Sequence, residues 1–571
     1  ATTIRFVKLN QIPSSLYYDE IDLGYQVRSL LQTGKDYRGS NSPFYFRSFN
    51  TDRTPIPVLI SAVFSPIFNS PEFKIRGGTA LVGVLVVLLA MLITFNLTKS
   101  KLASLITGLV FAFSPWQVHF SRIAFEAEHL LLFLLTFIYL LFSWFQTKSL
   151  RFFYFSALVL GLSIYTYRTM SFLAPVFLIL TPLYFGKEFF QLGIKKSLIW
   201  LFLGLAFMVP FLYATTIGSK DQTRINQISI FSDTMVPIEV QRSRELVSGN
   251  FQNPTLGQSP TFWSKVFHNK ALSFIEKFRN NTFNNFSPDF LFLSGDPNGR
   301  HSAKETGELL FIDILALVFG AYYFLLKIKD KRYSFLLILL FLGAVPANLT
   351  IDGATHAPRL ISFSGPLLII VSLGYYSIFM LFAKQKFGKY LSGTLIVIWL
   401  FAVMQFINNY FFHFPIINSR EFGYGFKQAV QKINFQESKF QHVILTDTND
   451  PPMLYYFYWA NVPPRDIQSY GTDFNTGVTK GTYLDKIKPG KFELPLCDPK
   501  AINLLKADTL YMVSYKNLPL DFRAPDKDQV PAGVKLLEVI KYPDNEVAFY
   551  LITRDTKNGS EVLALKTQKC N

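Results

Sequence analysis

The chain is short of cysteine and of charge. Two cysteines occur in 571 residues, Cys497 and Cys570. They form no Cys-x-x-Cys spacing, which excludes thiolate metal fingers and dithiol redox motifs of that kind. Charged residues make up 17% of the chain, less than a soluble protein of this size carries. No internal repeat is visible, which argues against a transporter assembled from repeated halves. Apolar residues fill the space: 50% of the chain is hydrophobic and 16% aromatic, with 60 Phe and 28 Tyr. Mean hydropathy is +0.25. Long apolar runs with aromatics suited to interfacial belts predict a polytopic α-helical membrane protein.

Ala1–Asn10 reads as the outer end of a first span whose remainder is missing. Ten further spans are expected near Gly77–Phe95, Leu102–Val118, His129–Phe145, Phe152–Tyr167, Met170–Phe185, Leu198–Thr215, Leu309–Leu326, Tyr333–Leu349, Leu360–Phe382 and Leu391–Phe412. The formal net charge of +17 could suggest nucleic acid, so its location decides. Alternate loops carry Lys99 and Lys101; Lys148 and Arg151; Lys187, Lys195 and Lys196; Lys327, Lys329, Lys331 and Arg332; and Lys384, Lys386 and Lys389. These 14 basic residues meet only Glu188 and Asp330, which leaves +12 of the +17 in those loops. By the positive-inside rule these loops are cytoplasmic, and the charge is topological. Nucleic acid is therefore not an expected partner.

The remaining loops face outside. Residues 11–76 form a long polar-aromatic loop, with amphipathic helices expected around Asp22–Thr33 and Ile56–Phe68, both lying in the membrane interface. Residues 217–308 are too long for a plain connection and are expected to be functional or partly helical. Residues 413–571 contain no span and read as an extracytoplasmic α/β domain. Its expected elements are a helix near Phe422–Ile433, a strand at His442–Thr446, a helix or turn near Met453–Trp459, a strand at Thr509–Ser514, and a hairpin of Lys535–Ile540 and Glu546–Ile552 turning at Pro543–Asn545. Outside the cell a Cys497–Cys570 disulfide is permitted; two free thiols fit equally.

The polar residues at span ends gather on the outer side. Asp19 and Glu20 sit in Leu16–Gly24. Acids at a membrane edge are costly and invite a functional reading, although acids also favour the first turn of a helix. Arg53 lies in Asp52-Arg53-Thr54-Pro55, Arg122 and Glu126 in His119–His129, Arg300 and His301 in Ser287–Ser302, and His356 and Arg359 in Thr355–Arg359. Outer arginines run against the positive-inside trend. A guanidinium fork binds phosphate oxygens bidentately. The set suits a lipid-linked phosphate whose head group undergoes chemistry. Taken singly, each arginine also reads as a headgroup or salt-bridge anchor, Glu126 as a helix cap, and His356 as a loop histidine.

The order of these features resembles the GT-C superfamily of polyprenyl-phosphate-sugar-dependent glycosyltransferases, in its bacterial branch related to protein O-mannosyltransferases and the lipid A aminoarabinose transferase. The resemblance is carried by Asp19-Glu20 after a first span, Arg53-Thr54-Pro55 before an interfacial helix, Ser114-Pro115-Trp116 at a span end, and Glu126 in the next outer loop. It implies a GT-C-like transmembrane catalytic domain over residues 1–412 and an extracytoplasmic α/β domain over 413–571. It also implies inverting transfer of a sugar, mannose-like or another hexose, from a polyprenyl-phosphate donor to an acceptor hydroxyl at the outer face of the plasma membrane. Asp19 carries over as the general base, with Glu20 beside it and Glu126 as the second acid. Arg53 carries over as the donor-phosphate ligand. Arg122, Arg300, His301, His356 and Arg359 are assigned to the donor phosphate by chemistry. No metal and no cofactor are expected. The partners expected are the lipid-linked sugar and an acceptor protein, glycan or lipid. The aminoarabinose enzymes carry Lys-Pro-Pro at the Arg53 element, Asp at the Glu126 position and Arg at the Asp22 position, so their sugar does not carry over. The competing reading is a polyprenyl-phosphate or glycolipid transporter, which would use the arginines without needing Asp19. A third is a scaffold whose outer domain binds cell-wall components.

Overall fold

The computed structural model describes residues 1–48, 52–218, 227–247, 261–445, 452–469, 492–493, 503–505, 507–514, 533–554 and 564–565. The Cys497–Cys570 pairing lies outside the described residues. The chain divides into two compact units. One comprises 1–4, 82–120 and 126–407; the other comprises 5–81, 121–125 and 408–571. In this grouping the first long loop falls with the C-terminal segment.

The first unit is helical and the chain is a multi-pass membrane protein. Among the described residues five helices are long and apolar enough to cross a bilayer: Pro71–Thr98, Ala127–Thr147, Ile194–Thr216, Ile361–Phe382 and Gly388–Ile417. Up to seven result if two bent pairs each count as one span. The pair Lys101–Phe113 and Pro115–Arg122 bends by 57°, because Pro115 cannot donate into the preceding turn and Ser114 leaves the helical region. The pair Thr169–Tyr184 and Gly186–Leu192 bends by 79°. Ten spans were expected from hydropathy. Two of them are helices of only 14 residues, Leu150–Ser163 and Asp313–Leu326, roughly 21 Å long against a hydrocarbon core of about 30 Å. Their apolar ends continue as turns rather than helix.

Ile361–Phe382 is the most buried of these spans. Its neighbour Asp313–Leu326 approaches backbone to backbone. A Cβ on Gly374 would stand 1.7 Å from the Ala316 carbonyl oxygen, and one on Gly320 would stand 2.0 Å from that of Ile370. Small residues are what allow membrane helices to pack this closely.

The second unit is built around the helix Tyr18–Thr33, which starts four residues earlier than expected. Gly34, at φ 70°, ends it by returning its N–H to the Leu30 carbonyl. The expectation that this helix lies in the membrane interface is corrected: it is the core of the unit. Leu23, Tyr25 and Val27 are buried with Val443, Leu454, Tyr455, Phe457 and Leu510. The Tyr25 hydroxyl donates to the Val462 carbonyl at 3.0 Å, and Arg28 donates to that of Tyr458 at 3.0 Å. An apolar stripe read from sequence does not distinguish a membrane surface from a protein surface, and here protein covers it. The second helix, Pro55–Phe64, ends in a 3-10 turn, Ser65–Ile67, and exposes Leu59, Val63 and Ile67.

The C-terminal elements form close to where alternation placed them. A helix runs over Phe426–Gln436. The strands are β1 (His442–Leu445), β2 (Phe492–Glu493), β3 (Asn503–Leu504), β4 (Thr509–Val513), β5 (Val534–Lys541), β6 (Val547–Arg554) and β7 (Ala564–Leu565). Five form a mixed sheet in the order β2-β1-β4-β6-β5. β1 is parallel to β2 and β4, and the hairpin β5-β6 is antiparallel, turning through Asn545 at φ 67°.

Candidate functional site

One face of the helix Tyr18–Thr33 carries chemistry. Asp19 and Asp22 are three residues apart, so their carboxylates share a face; Glu20 points elsewhere. Arg53 bridges the two. Its Nη2 donates to Asp19 at 2.5 Å and its Nε to Asp22 at 2.5 Å. The backbone of Arg53 is fixed by a two-way antiparallel bridge with Phe46. Asp22 is fully enclosed and also accepts from the Tyr37 hydroxyl at 2.6 Å and the Ser48 hydroxyl at 2.7 Å. Burial, with the Asp22 carboxylate next to it, pushes the Tyr37 phenol well above its ordinary range, so it stays a donor. Asp19 differs from its partner in one respect: its side chain is 32% exposed, against 0% for Asp22. The set is therefore a buried holder, a bridging guanidinium and one accessible carboxylate.

Glu20 faces the opposite way and is sealed. Its two oxygens meet Arg76 at 2.7 Å each, and it also accepts the Ala124 N–H at 2.9 Å. Arg76 spends its other hydrogens on the carbonyls of Leu9, Pro13 and Ser15. Arg122 is buried and donates to the carbonyls of Val7 and Ile12 at 2.9 Å, with the Phe411 ring 4.9 Å from its guanidinium. Both arginines tie the turns and bends that follow the short helix Thr2–Phe6 to this unit. The structure thus joins Asp19 and Arg53 and places Glu20 and Arg122 in supporting contacts.

The other expected residues lie in the membrane unit. Glu126 stands at the N-cap of the helix Ala127–Thr147, and its side chain makes no capping hydrogen bond. Glu126, Glu128 and His129 are all buried. Asp296, His301 and His356 gather on two loops. His301 Nδ1 meets Asp296 Oδ2 at 3.0 Å, and the two imidazole centroids are 4.7 Å apart. Burial alone would raise the Asp296 carboxyl. The hydrogen bond and charge of His301 and the Asn298 N–H hold it below the usual carboxylate range. Burial, then the Arg359 and His301 charges, push His356 well below the usual imidazole range. Arg359 donates to Thr350 at 2.8 Å and pairs with Asp352. The Arg300 carbonyl meets the His119 ring at 2.9 Å.

Sequence reasoning missed Asp22, Tyr37, Ser48 and Arg76 as partners. The i, i+3 spacing of Asp19 and Asp22 was a usable signal for the first. Tyr37, Ser48 and Arg76 reach the site only through loop geometry that no local pattern encodes. Asp296 lies in the same loop as Arg300 and His301, and no local pattern gives it a role.

Residues 52–214 match the family described as dolichyl-phosphate-mannose-protein mannosyltransferase. No curated protein sequence matches the chain. Among solved structures the chain is similar to ArnT from Cupriavidus metallidurans in the apo state, at 11% identity and TM-score 0.48, covering 96% of each chain. It is also similar to the same protein bound to undecaprenyl phosphate, at 11% identity and TM-score 0.43, over 98% of this chain and 97% of that one. The Archaeoglobus fulgidus oligosaccharyltransferase in its apo form is similar at 12% identity and TM-score 0.43, over 88% of this chain and 66% of that one.

Proposed function

We propose that this chain, a membrane glycosyltransferase of the family matched over residues 52–214, moves a hexose, mannose-like in kind, from a polyprenyl-phosphate donor to an acceptor hydroxyl with inversion. Asp19 is the general base. The observation that carries this reading is the asymmetry of the Asp19–Arg53–Asp22 set: one carboxylate is accessible while its twin is buried and engaged. A general base must reach the proton it takes, and an enclosed carboxylate cannot.

In the proposed step the acceptor oxygen attacks the anomeric carbon from the face opposite the phosphate. The new carbon–oxygen bond forms as the bond from the anomeric carbon to the phosphate oxygen breaks. The acceptor proton passes to Asp19, and polyprenyl phosphate leaves with the bonding pair. The transition state is oxocarbenium-like, as in glycoside hydrolysis. Before transfer Asp19, Arg53 and Asp22 sum to one negative charge. Once Asp19 is protonated they sum to zero. Arg53 is released from half of its pairing as charge builds on the leaving phosphate, which a fixed guanidinium stabilises.

Arg300 keeps a phosphate-binding assignment on chemistry alone. Arg122 and Arg359 are held by the chain's own oxygens, and we assign them to holding their loops. Glu20 has the same standing through Arg76. The basic loops support a cytoplasmic placement for themselves and an outer placement for Asp19 and the C-terminal sheet.

The test is transfer from a panel of synthetic polyprenyl-phosphate sugars, using membranes that contain wild-type protein or Asp19→Asn. Release of polyprenyl phosphate by the wild type, with about a hundredfold or greater loss in the variant, is the expected result. Near-equal rates for the two would remove Asp19 from its role. Binding of donor by the wild type without release from any sugar would favour the transporter reading.

A further inference from the structure

We propose that Asp296, His301 and His356 hold a zinc-class divalent cation. These groups take no part in the transfer step above, and the inference does not rest on it. One donor atom from each residue lies within 4.8 Å of the others. Donor atoms placed tetrahedrally about zinc at about 2.1 Å are roughly 3.4 Å apart, so small side-chain rotations close the set on an ion. Two imidazoles with one carboxylate are a donor set that zinc takes, and three protein ligands leave one position of the tetrahedron for water or another oxygen.

Two further observations favour an ion over a plain hydrogen-bonded Asp–His pair. Among the described residues the Nδ1 of His356 is buried and has no hydrogen-bond partner, an arrangement that costs free energy unless something fills it. The Asp296 carboxylate is buried and already oriented. Oδ1 accepts the Asn298 N–H at 2.8 Å, and Oδ2 accepts the Ala357 N–H at 2.9 Å. These bonds fix a ligating carboxylate as outer-shell partners do in metal sites. His301 and His356 come from different loops, Ser287–Ser302 and Thr355–Arg359, so the cation would cross-link the two.

The experiment uses the full chain in detergent, freed of any affinity tag and stripped with a chelator. The chain has only seven histidines, so background binding is low. Zinc is titrated back and metal content measured. Cobalt is then substituted and its visible ligand-field spectrum recorded. The expected result is about one zinc per chain and an intense tetrahedral cobalt band, with affinity falling at least tenfold in His356→Ala and in Asp296→Asn. Should those variants fold poorly, the wild-type cobalt spectrum decides alone. A wild type that retains no stoichiometric zinc and gives no tetrahedral band overturns the proposal. So does zinc bound equally well by well-folded variants.

Discussion

Replacing Asp22 by Asn tests the logic of the site without touching the proposed base. The change is nearly isosteric, so packing is kept. The Asn carbonyl oxygen can still accept from Tyr37 and Ser48, which stand 2.6 and 2.7 Å from Asp22 Oδ1. Its NH2 then faces the Arg53 Nε–H across 2.5 Å, donor against donor. The loss is one charge-assisted hydrogen bond, about 1.5–3 kcal/mol, plus a buried donor left unmet, about 1–3 kcal/mol. Both side chains are almost fully enclosed, at 6% and 0% exposure, so solvent screens little of this. Asp19 still holds Arg53 from the other side, which favours the lower part of the 3–5 kcal/mol range for a broken buried pair. The assay is thermal denaturation in detergent at a fixed scan rate, run as a cycle with Arg53→Gln and the double variant. We expect a destabilisation of about 3 kcal/mol and a coupling energy above about 1.5 kcal/mol. Turnover and donor affinity should both fall, because Arg53, the proposed donor-phosphate ligand, loses the carboxylate that aims it. A destabilisation below about 1 kcal/mol, with additive single effects, would refute the reading of Asp22 as the holder.

Two further changes probe the scaffold. Glu20→Gln leaves Arg76 buried without its counter-charge, and we expect a loss of about 3–5 kcal/mol in stability, seen as poor recovery from detergent; recovery and thermal midpoint equal to wild type would count against the ion pair as the anchor of the N-terminal segment. Gly374→Val places a Cβ 1.7 Å from the Ala316 carbonyl oxygen, so it should abolish the folded protein in membranes, whereas Gly393→Val, with open space around it, should be tolerated; equal yields of the two would contradict the close approach of the helices.

What the sequence carried, and what it could not, follows from the reach of each signal. Hydropathy and the distribution of Lys and Arg are summed over many residues, so the membrane class survived local error. The spans themselves were less legible. Leu150–Ser163 and Asp313–Leu326 are short because turns interrupt apolar runs, and hydropathy does not register a turn made of apolar residues. The hairpin β5-β6 was readable because alternation and a turn at Pro543–Asn545 are both local. The helix Tyr18–Thr33 was found but misplaced, since a hydrophobic stripe names a face and not what covers it. The covering partners, Val443 through Leu510, lie more than 400 residues away in sequence. The site divides along the same line. Asp19 stood out because an acid pair at a span end is unusual, and Arg53 because it opposed the charge rule. That Arg53 serves Asp22 as well as Asp19, while Glu20 belongs to Arg76, depends on which helix face each acid occupies. Helical periodicity already separates them: positions 19 and 22 share a face and position 20 does not. A helix started at Tyr18 rather than Asp22 would have exposed that division in the sequence. The early start is set by Glu20, whose carboxylate reaches back to the Tyr17 N–H at 3.4 Å and closes the first turn. The residue that seals the scaffold thus also sets the phase that presents Asp19.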